Sequence, residues 1–382
     1  MAGNRKLFEE MREGENAPRP KGGMIAAGGA GGGAGGRRAV RLWLLLLFTL
    51  TVVMIAVGGL TRLTDSGLSI TEWRPLTGAL PPMSEAAWLA EFEKYQAIPE
   101  YQLQNRGMSL AEFKVIYWWE WGHRQLGRVI GLIWALGFAV FWATNRLAQG
   151  WAGRLLLLGA LGGLQGAVGW WMVASGLTGA MLDVASYRLA THLGLAFAIL
   201  GLIAWFMFRL GRGEAELLQA RRAGEARLAR AASGLIGLAF LQILLGALVA
   251  GIDAGRGFTD WPLMAGGLLP PEPFWMEPVW RNFFENAGLV QFMHRMAGYL
   301  LLICGVLLWR RGRQSPQPRT RAGFNMLAAM LLLQVVLGIL AVMQSSPLAL
   351  ALLHQLGAVA LFVALLRARF LSLYPIATSL RG

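Results

Sequence analysis

The chain is poor in the residues that soluble redox and metal sites draw on. A single cysteine in 382 residues, Cys304, excludes an intramolecular disulfide and any thiolate cluster; it falls inside a long apolar run, where packing is its expected role. Acidic residues are few, 21 against 35 lysines and arginines. None lies at the middle of an apolar run, which argues against a transporter with a charged site at mid-membrane. Histidine occurs only four times, as His123, His192, His294 and His354. Each stands near the start of every second hydrophobic segment, so scarcity here comes with strict placement.

What the chain does have is apolar length. Hydrophobic residues make up 55%, and runs recur that suit a hydrocarbon core of about 30 Å at about 20 residues per crossing. The pattern predicts eight membrane helices, at about 41–60, 123–143, 153–173, 189–209, 232–252, 289–309, 322–344 and 348–370. Lipid cannot satisfy backbone amides, so runs of this length are helices. The fold class expected is an all-α integral membrane protein, eight helices arranged as two tandem-duplicated four-helix bundles.

Charge orients the bundle. Arg209, Arg212, Arg221, Arg222, Arg227 and Arg230 crowd the link between helices four and five; Arg310, Arg311, Arg313, Arg319 and Arg321 crowd the link between six and seven. The positive-inside rule makes these links and both termini cytoplasmic, while the acid-rich loops at about 61–122 and 253–288 face outward. Topology thus accounts for the net charge of +14 without a nucleic-acid partner. The expected divisions are a disordered cytoplasmic tail over 1–40, a four-helix half over 41–210, a cytoplasmic linker over 211–231, a second half over 232–370 and a cytoplasmic tail over 371–382. The first outer loop adds two amphipathic helical candidates, 84–97 and 109–119, with Trp88, Phe92, Phe113, Tyr117, Trp118 and Trp119 on them, suited to interfacial anchoring or to a lid.

The halves resemble each other. Asp65-Ser66-Gly67, Thr71-Glu72-Trp73, Gly78 and Pro81-Pro82 follow helix one; Asp253-Ala254-Gly255, Thr259-Asp260-Trp261, Gly266 and Pro270-Pro271 follow helix five. His123-Arg124 matches His294-Arg295, and Gln165 to Gly169 matches Gln334 to Gly338. Four helices per half is an even number, so the halves share one orientation. All four imidazoles then lie at one depth on the outer side, an arrangement that points to two bis-histidine haem sites. Duplication of a unit that already held a haem pairs them within halves, His123 with His192 and His294 with His354. Gly127, Gly131, Gly194, Gly298 and Gly357 on the same helices allow close approach of a helix or a porphyrin face.

Beyond residue 40 the chain resembles the haem A synthase family. The resemblance rests on the Gly58-Gly59-Leu60-Thr61-Arg62-Leu63-Thr64-Asp65-Ser66-Gly67-Leu68-Ser69 run, on Glu72-Trp73-Arg74-Pro75 with Gly78 and Pro81-Pro82, on Glu120-Trp121-Gly122-His123-Arg124, on His294-Arg295 and on the eight-helix repeat. It is closer to the proteobacterial and mitochondrial branch, whose outer loops lack the cysteine pairs of some other bacterial members, so a thiol relay is excluded here. The resemblance implies oxidation of a haem o methyl group to the formyl group of haem A for terminal oxidases. It also implies a resident haem b on His294 and His354, substrate haem on His123 and His192, and a bacterial inner membrane location. Lateral delivery from a membrane partner such as haem o synthase, contact with oxidase assembly factors and an unnamed electron-transfer partner complete the expectation. The alternative is a non-enzymatic b-type cytochrome that only relays electrons.

One asymmetry stands between the halves: Glu120 precedes His123 by three residues, whereas Gln291 holds the matching place before His294. A carboxylate one turn from an iron ligand lies on the ligand's face of the helix and can act on an electron-poor carbon or accept a proton, which makes Glu120 the catalytic candidate. As a surface acid at a helix start it would serve only the helix dipole. Arg62, Arg124 and Arg295 are candidate partners for haem propionates, with lipid headgroups as the alternative.

Overall fold

The computed structural model describes residues 32–179 and 181–376, and its regular structure is helical. Eight long helices, numbered in chain order, are α1 (Ala34–Leu63), α2 (Leu110–Ala143), α3 (Trp151–Val173), α4 (Ser186–Leu210), α5 (Ala226–Gly251), α6 (Ala287–Gly312), α7 (Pro318–Met343) and α8 (Leu348–Leu373). All eight are long and apolar enough to cross a membrane, and the chain is an integral membrane protein.

Within the first half α1 packs on α2, α2 on α3, α3 on α4 and α4 back on α1; α5 to α8 close a second ring in the same order. The rings meet where α4 lies on α5 and α8, and α8 on α1. Ile55, Phe197, Leu200, Val359 and Phe362 fill that junction. Gly201 admits the Phe362 ring, which would lie 2.9 Å from a Cβ at that position, so a small residue permits the close crossing.

Several boundaries differ from the hydropathy pattern. α1 begins at Ala34, not 41, so Gly35, Gly36, Arg37 and Arg38 are helical and the tail expected to residue 40 ends earlier; residues 1–31 lie outside the described residues. The link expected over 211–231 contains a helix, Glu214–Arg222, and α5 starts at Ala226. α8 runs to Leu373, into the tail expected from 371. Hydropathy marks only the lipid-immersed part of a helix, whereas backbone hydrogen bonding continues into water until a cap ends it.

The largest correction concerns α2. The second apolar run is expected from residue 123, yet the helix starts at Leu110 and absorbs the amphipathic candidate 109–119. Its start is set by a capping box: the Glu112 amide donates to Ser109 Oγ at 3.3 Å, and the Ser109 amide donates to Glu112 Oε2 at 2.8 Å. With 34 residues the helix is about 50 Å long, so its first turns stand outside a hydrocarbon core. His123 is therefore well inside its helix, unlike the other three histidines.

The candidate at 84–97 forms as Glu85–Gln96, with Ser84 capping it through Ala87 N. Trp88, Phe92, Tyr95, Phe113 and Tyr117 are buried against one another, while Trp118 and Trp119 stay 45% and 39% exposed. The loop between α1 and α2 thus has its own aromatic core, which fixes it over the start of α2.

Candidate functional site

All four imidazoles lie in the N-terminal halves of the even helices, on the side of the three interhelical loops that Arg62 ties together. The Arg62 guanidinium donates to Asp65 at 3.0 Å, to Asp253 at 3.1 Å and to Asp183 at 3.4 Å. Asp65 and Asp253 sit at matching places after α1 and α5, both in the left-handed region, with φ of 49° and 50°, a conformation aspartate tolerates better than most residues. Arg62 thereby clamps the two halves, and its bound donors serve protein carboxylates.

Each imidazole lies against a glycine of the preceding helix. A Cβ at Gly58 would meet His123 at 3.1 Å, one at Gly169 His192 at 2.8 Å, one at Gly246 His294 at 3.1 Å and one at Gly338 His354 at 3.0 Å. Any larger residue would push the ring away. One turn earlier on three of those helices stands a glutamine. Gln165, Gln242 and Gln334 donate through Nε2 to the backbone carbonyls of His192, His294 and His354 at 3.0, 3.0 and 2.8 Å. The same nitrogens lie 3.2, 3.1 and 3.2 Å from the rings' Nδ1. These seven residues escaped attention as site residues in the sequence. A signal was there: Gln followed four residues later by Gly occurs on α3, α5 and α7, one turn apart and hence on one face.

The glycines singled out earlier have separate roles. Gly298 and Gly357 make room for Gln242 and Gln334, Gly194 for Leu244 and Gly127 for the Met54 methyl, while Gly131 faces open space.

The His294 and His354 rings stand 6.3 Å apart between centroids and 79° apart in plane. Two metal–imidazole bonds of about 2 Å, with the ring radii, span about 6 Å, so the separation of His294 and His354 would admit one metal ion between them. The Oε1 atoms of Gln165, Gln242 and Gln334 are buried without a hydrogen-bond partner. The same carboxamides place their Nε2 beside the rings; turned over, each would offer that free acceptor to an imidazole N–H, the partner a metal-ligating ring requires. The donor set and its surroundings therefore suit a bis-imidazole haem. His123 and His192 lie on α2 and α4, the diagonal pair of one ring of helices, each against a glycine of the adjacent α1 or α3.

Glu120 is 2% exposed and fully engaged. Its Oε2 accepts from Ser69 Oγ at 2.7 Å and from the Ile70 amide at 2.8 Å, and its Oε1 accepts from Arg124 Nε at 3.0 Å. It stands ten residues into α2, so the reading of a surface acid serving a helix start does not hold. Arg124 also donates to the carbonyls of Ile70 and Glu72 at 2.9 and 3.1 Å. The second half repeats the frame: Arg295 donates to the carbonyls of Phe258 and Asp260 at 2.9 and 3.0 Å and to Gln291 Oε1 at 3.3 Å. Both arginines thus fasten an interhelical loop to the helix that carries a histidine. Beside Arg124 opens a cavity of about 380 Å³ whose lining includes Ile70, Glu72, Tyr117, Trp121 and Arg128.

A family model described as cytochrome oxidase assembly protein matches residues 41–366. Over the full chain, the sequence is 63% identical to the haem A synthase of Dinoroseobacter shibae, covering 99% of that protein. It is 62% identical to that of Ruegeria pomeroyi, with complete coverage of both, and 60% identical to that of Paracoccus denitrificans, covering 99% of this chain and 98% of the relative.

Proposed function

The chain belongs to the cytochrome oxidase assembly protein family that includes the haem A synthases, and from that premise we propose that it oxidises a methyl group of haem o to the formyl group of haem A. Taken formally with water as the oxygen source, R–CH3 + H2O becomes R–CHO, with four protons released and four electrons passed to an external electron-transfer partner that acts as the oxidant. The reading is supported most directly by one contrast: two matching histidine frames differ by a carboxylate at Glu120 and a neutral amide at Gln291. A duplicated site that only stored electrons would need no such difference.

In this reading His294 and His354 hold a resident haem b, and His123 and His192 hold the substrate haem; the iron supplies one-electron redox chemistry when bound. Ser69, the Ile70 amide and Arg124 fix the orientation of the Glu120 carboxylate. A fixed negative charge beside a carbon that loses electrons lowers the barrier without reorganising at the moment of reaction. Arg124 and Arg295 act mainly by holding the outer loops, with propionate contact open to donors not already spent on the protein. The aromatic core of Trp88, Phe92, Phe113 and Tyr117 keeps the first loop closed over α2 and excludes water from Glu120.

We infer an inner-membrane orientation with both termini cytoplasmic, supported by the arginine-rich α4–α5 and α6–α7 links. Haem o as substrate and haem A as product are lipid-soluble, so exchange within the bilayer is expected, from a haem o synthase and toward oxidase assembly factors. The test is pigment analysis of membranes containing the chain, supplied aerobically with haem o. Haem A, with an alcohol intermediate, is expected. Recovery of haem b alone, with haem o unchanged, would return the chain to the b-type cytochrome reading.

A further inference from the structure

The glutamine frame is broken at one place. Counting back four residues from the glycine that faces each histidine gives Gln165, Gln242 and Gln334, but Met54 for His123. Met54 occupies the corresponding position in space as well. A Cβ on Gly298, one turn after His294, would meet Gln242 Nε2 at 3.3 Å, and a Cβ on Gly127, one turn after His123, would meet the Met54 Cε methyl at 3.4 Å. A thioether stands where the other three sites hold a carboxamide. It donates nothing and is a poor acceptor.

The His123 ring is also turned differently. His192, His294 and His354 present Cε1 and Nδ1 to their glycines, whereas His123 presents Nε2 and Cδ2 to Gly58. The ring without a carboxamide is the ring with the different rotation.

Resting on the haem A synthase reading, we propose that His123 is the releasable ligand of the substrate site, because Met54 replaces the glutamine that anchors each of the other three histidines. An acceptor for the second N–H of a ligating imidazole, which a carboxamide offers through Oε1 and a thioether does not, fixes the ring's orientation and raises its basicity, and losing such a partner typically costs 10–100-fold in metal affinity. The resident pair is anchored on both sides, by Gln242 and Gln334. The substrate pair is anchored on one side only, by Gln165 at His192. A cofactor must stay and a substrate must arrive and leave, so one firm and one loose ligand is the arrangement that serves turnover. Met54 is thus a positioning residue that acts through His123.

Carbon monoxide tests this without reference to turnover, since it binds a six-coordinate ferrous haem only after an axial ligand has left. Reduced protein carrying haem b and haem o is mixed with carbon monoxide, and the two pigments are followed at their own wavelengths. In the unaltered chain haem o should react at least about tenfold faster than haem b. Met54→Gln should slow the haem o reaction about 10–100-fold and leave haem b alone, and Gln242→Met should accelerate haem b by a similar factor. An unchanged haem o rate in Met54→Gln that still binds haem o overturns the proposal, as does an unchanged haem b rate in Gln242→Met. If haem o fails to bind even the unaltered chain, the functional reading falls first, and Gln242→Met alone decides the role of the carboxamide.

Discussion

Glu120 and Arg124 are joined one turn apart on α2, Nε to Oε1 at 3.0 Å, and both are bonded to Ile70, the carboxylate to its amide and the guanidinium to its carbonyl. The pair closes a loop onto the helix and aligns a charge beside a candidate iron ligand.

Glu120→Gln tests whether that charge does chemistry. The amide keeps the size, and Gln291 accepting from Arg295 at 3.3 Å indicates that this frame tolerates it. The variant should fold, retain haem b and bind haem o, with some loss of stability, since a half-removed buried ion pair leaves its partner uncompensated. Haem A formation should fall about 10²–10⁴-fold, the range for a positioned acid–base group. Near-normal haem A production by a well-folded variant would remove Glu120 from the catalytic role.

Alanine at each histidine separates the two halves. His294→Ala and His354→Ala should lose most of the low-spin haem b absorbance. His123→Ala and His192→Ala should keep it while abolishing conversion of haem o. Equal loss of haem b from all four would end the division into a cofactor half and a substrate half.

Glu100 makes stability depend on pH. It is 3% exposed, with one carboxyl oxygen lacking a partner. Burial, followed by the nearby charges of Asp183, Asp65 and Glu120, pushes its pKa up from 4.5 to about 8. Between these values the folded chain holds a proton that the unfolded chain has released, so stability is fully present below 4.5 and declines as pH rises to about 8. Glu100→Gln imitates the protonated form. Its Tm in detergent should exceed that of the unaltered protein at pH 8 and above and converge with it in acid. Parallel Tm profiles for the two proteins would refute the assignment.

Orientation has its own check. A reporter active only outside the cytoplasm should work when fused near residue 95 or 275 and stay silent near 220 or 315. The opposite pattern would move all four histidines to the cytoplasmic side.

The amino-acid sequence by itself determined that the chain is a helical membrane protein, because burying backbone amides in lipid leaves few alternatives to apolar helices of sufficient length. It also singled out four histidines and the contrast of Glu120 with Gln291, since scarcity and repetition are visible without coordinates. The start of α2 was encoded too, in Ser109 and Glu112, but a cap in a polar segment leaves no mark on hydropathy. Only the tertiary structure decided which side chains surround each imidazole. Gly58, Gly169, Gly246 and Gly338, and the glutamines with Met54 in their series, belong to helices other than those of the histidines they serve. Contacts across helices depend on rotation and crossing, which no single periodicity records. The same holds for Arg62 reaching Asp253 from 191 positions away: each residue reads alone as a surface charge, and only packing of the two halves makes them a clamp.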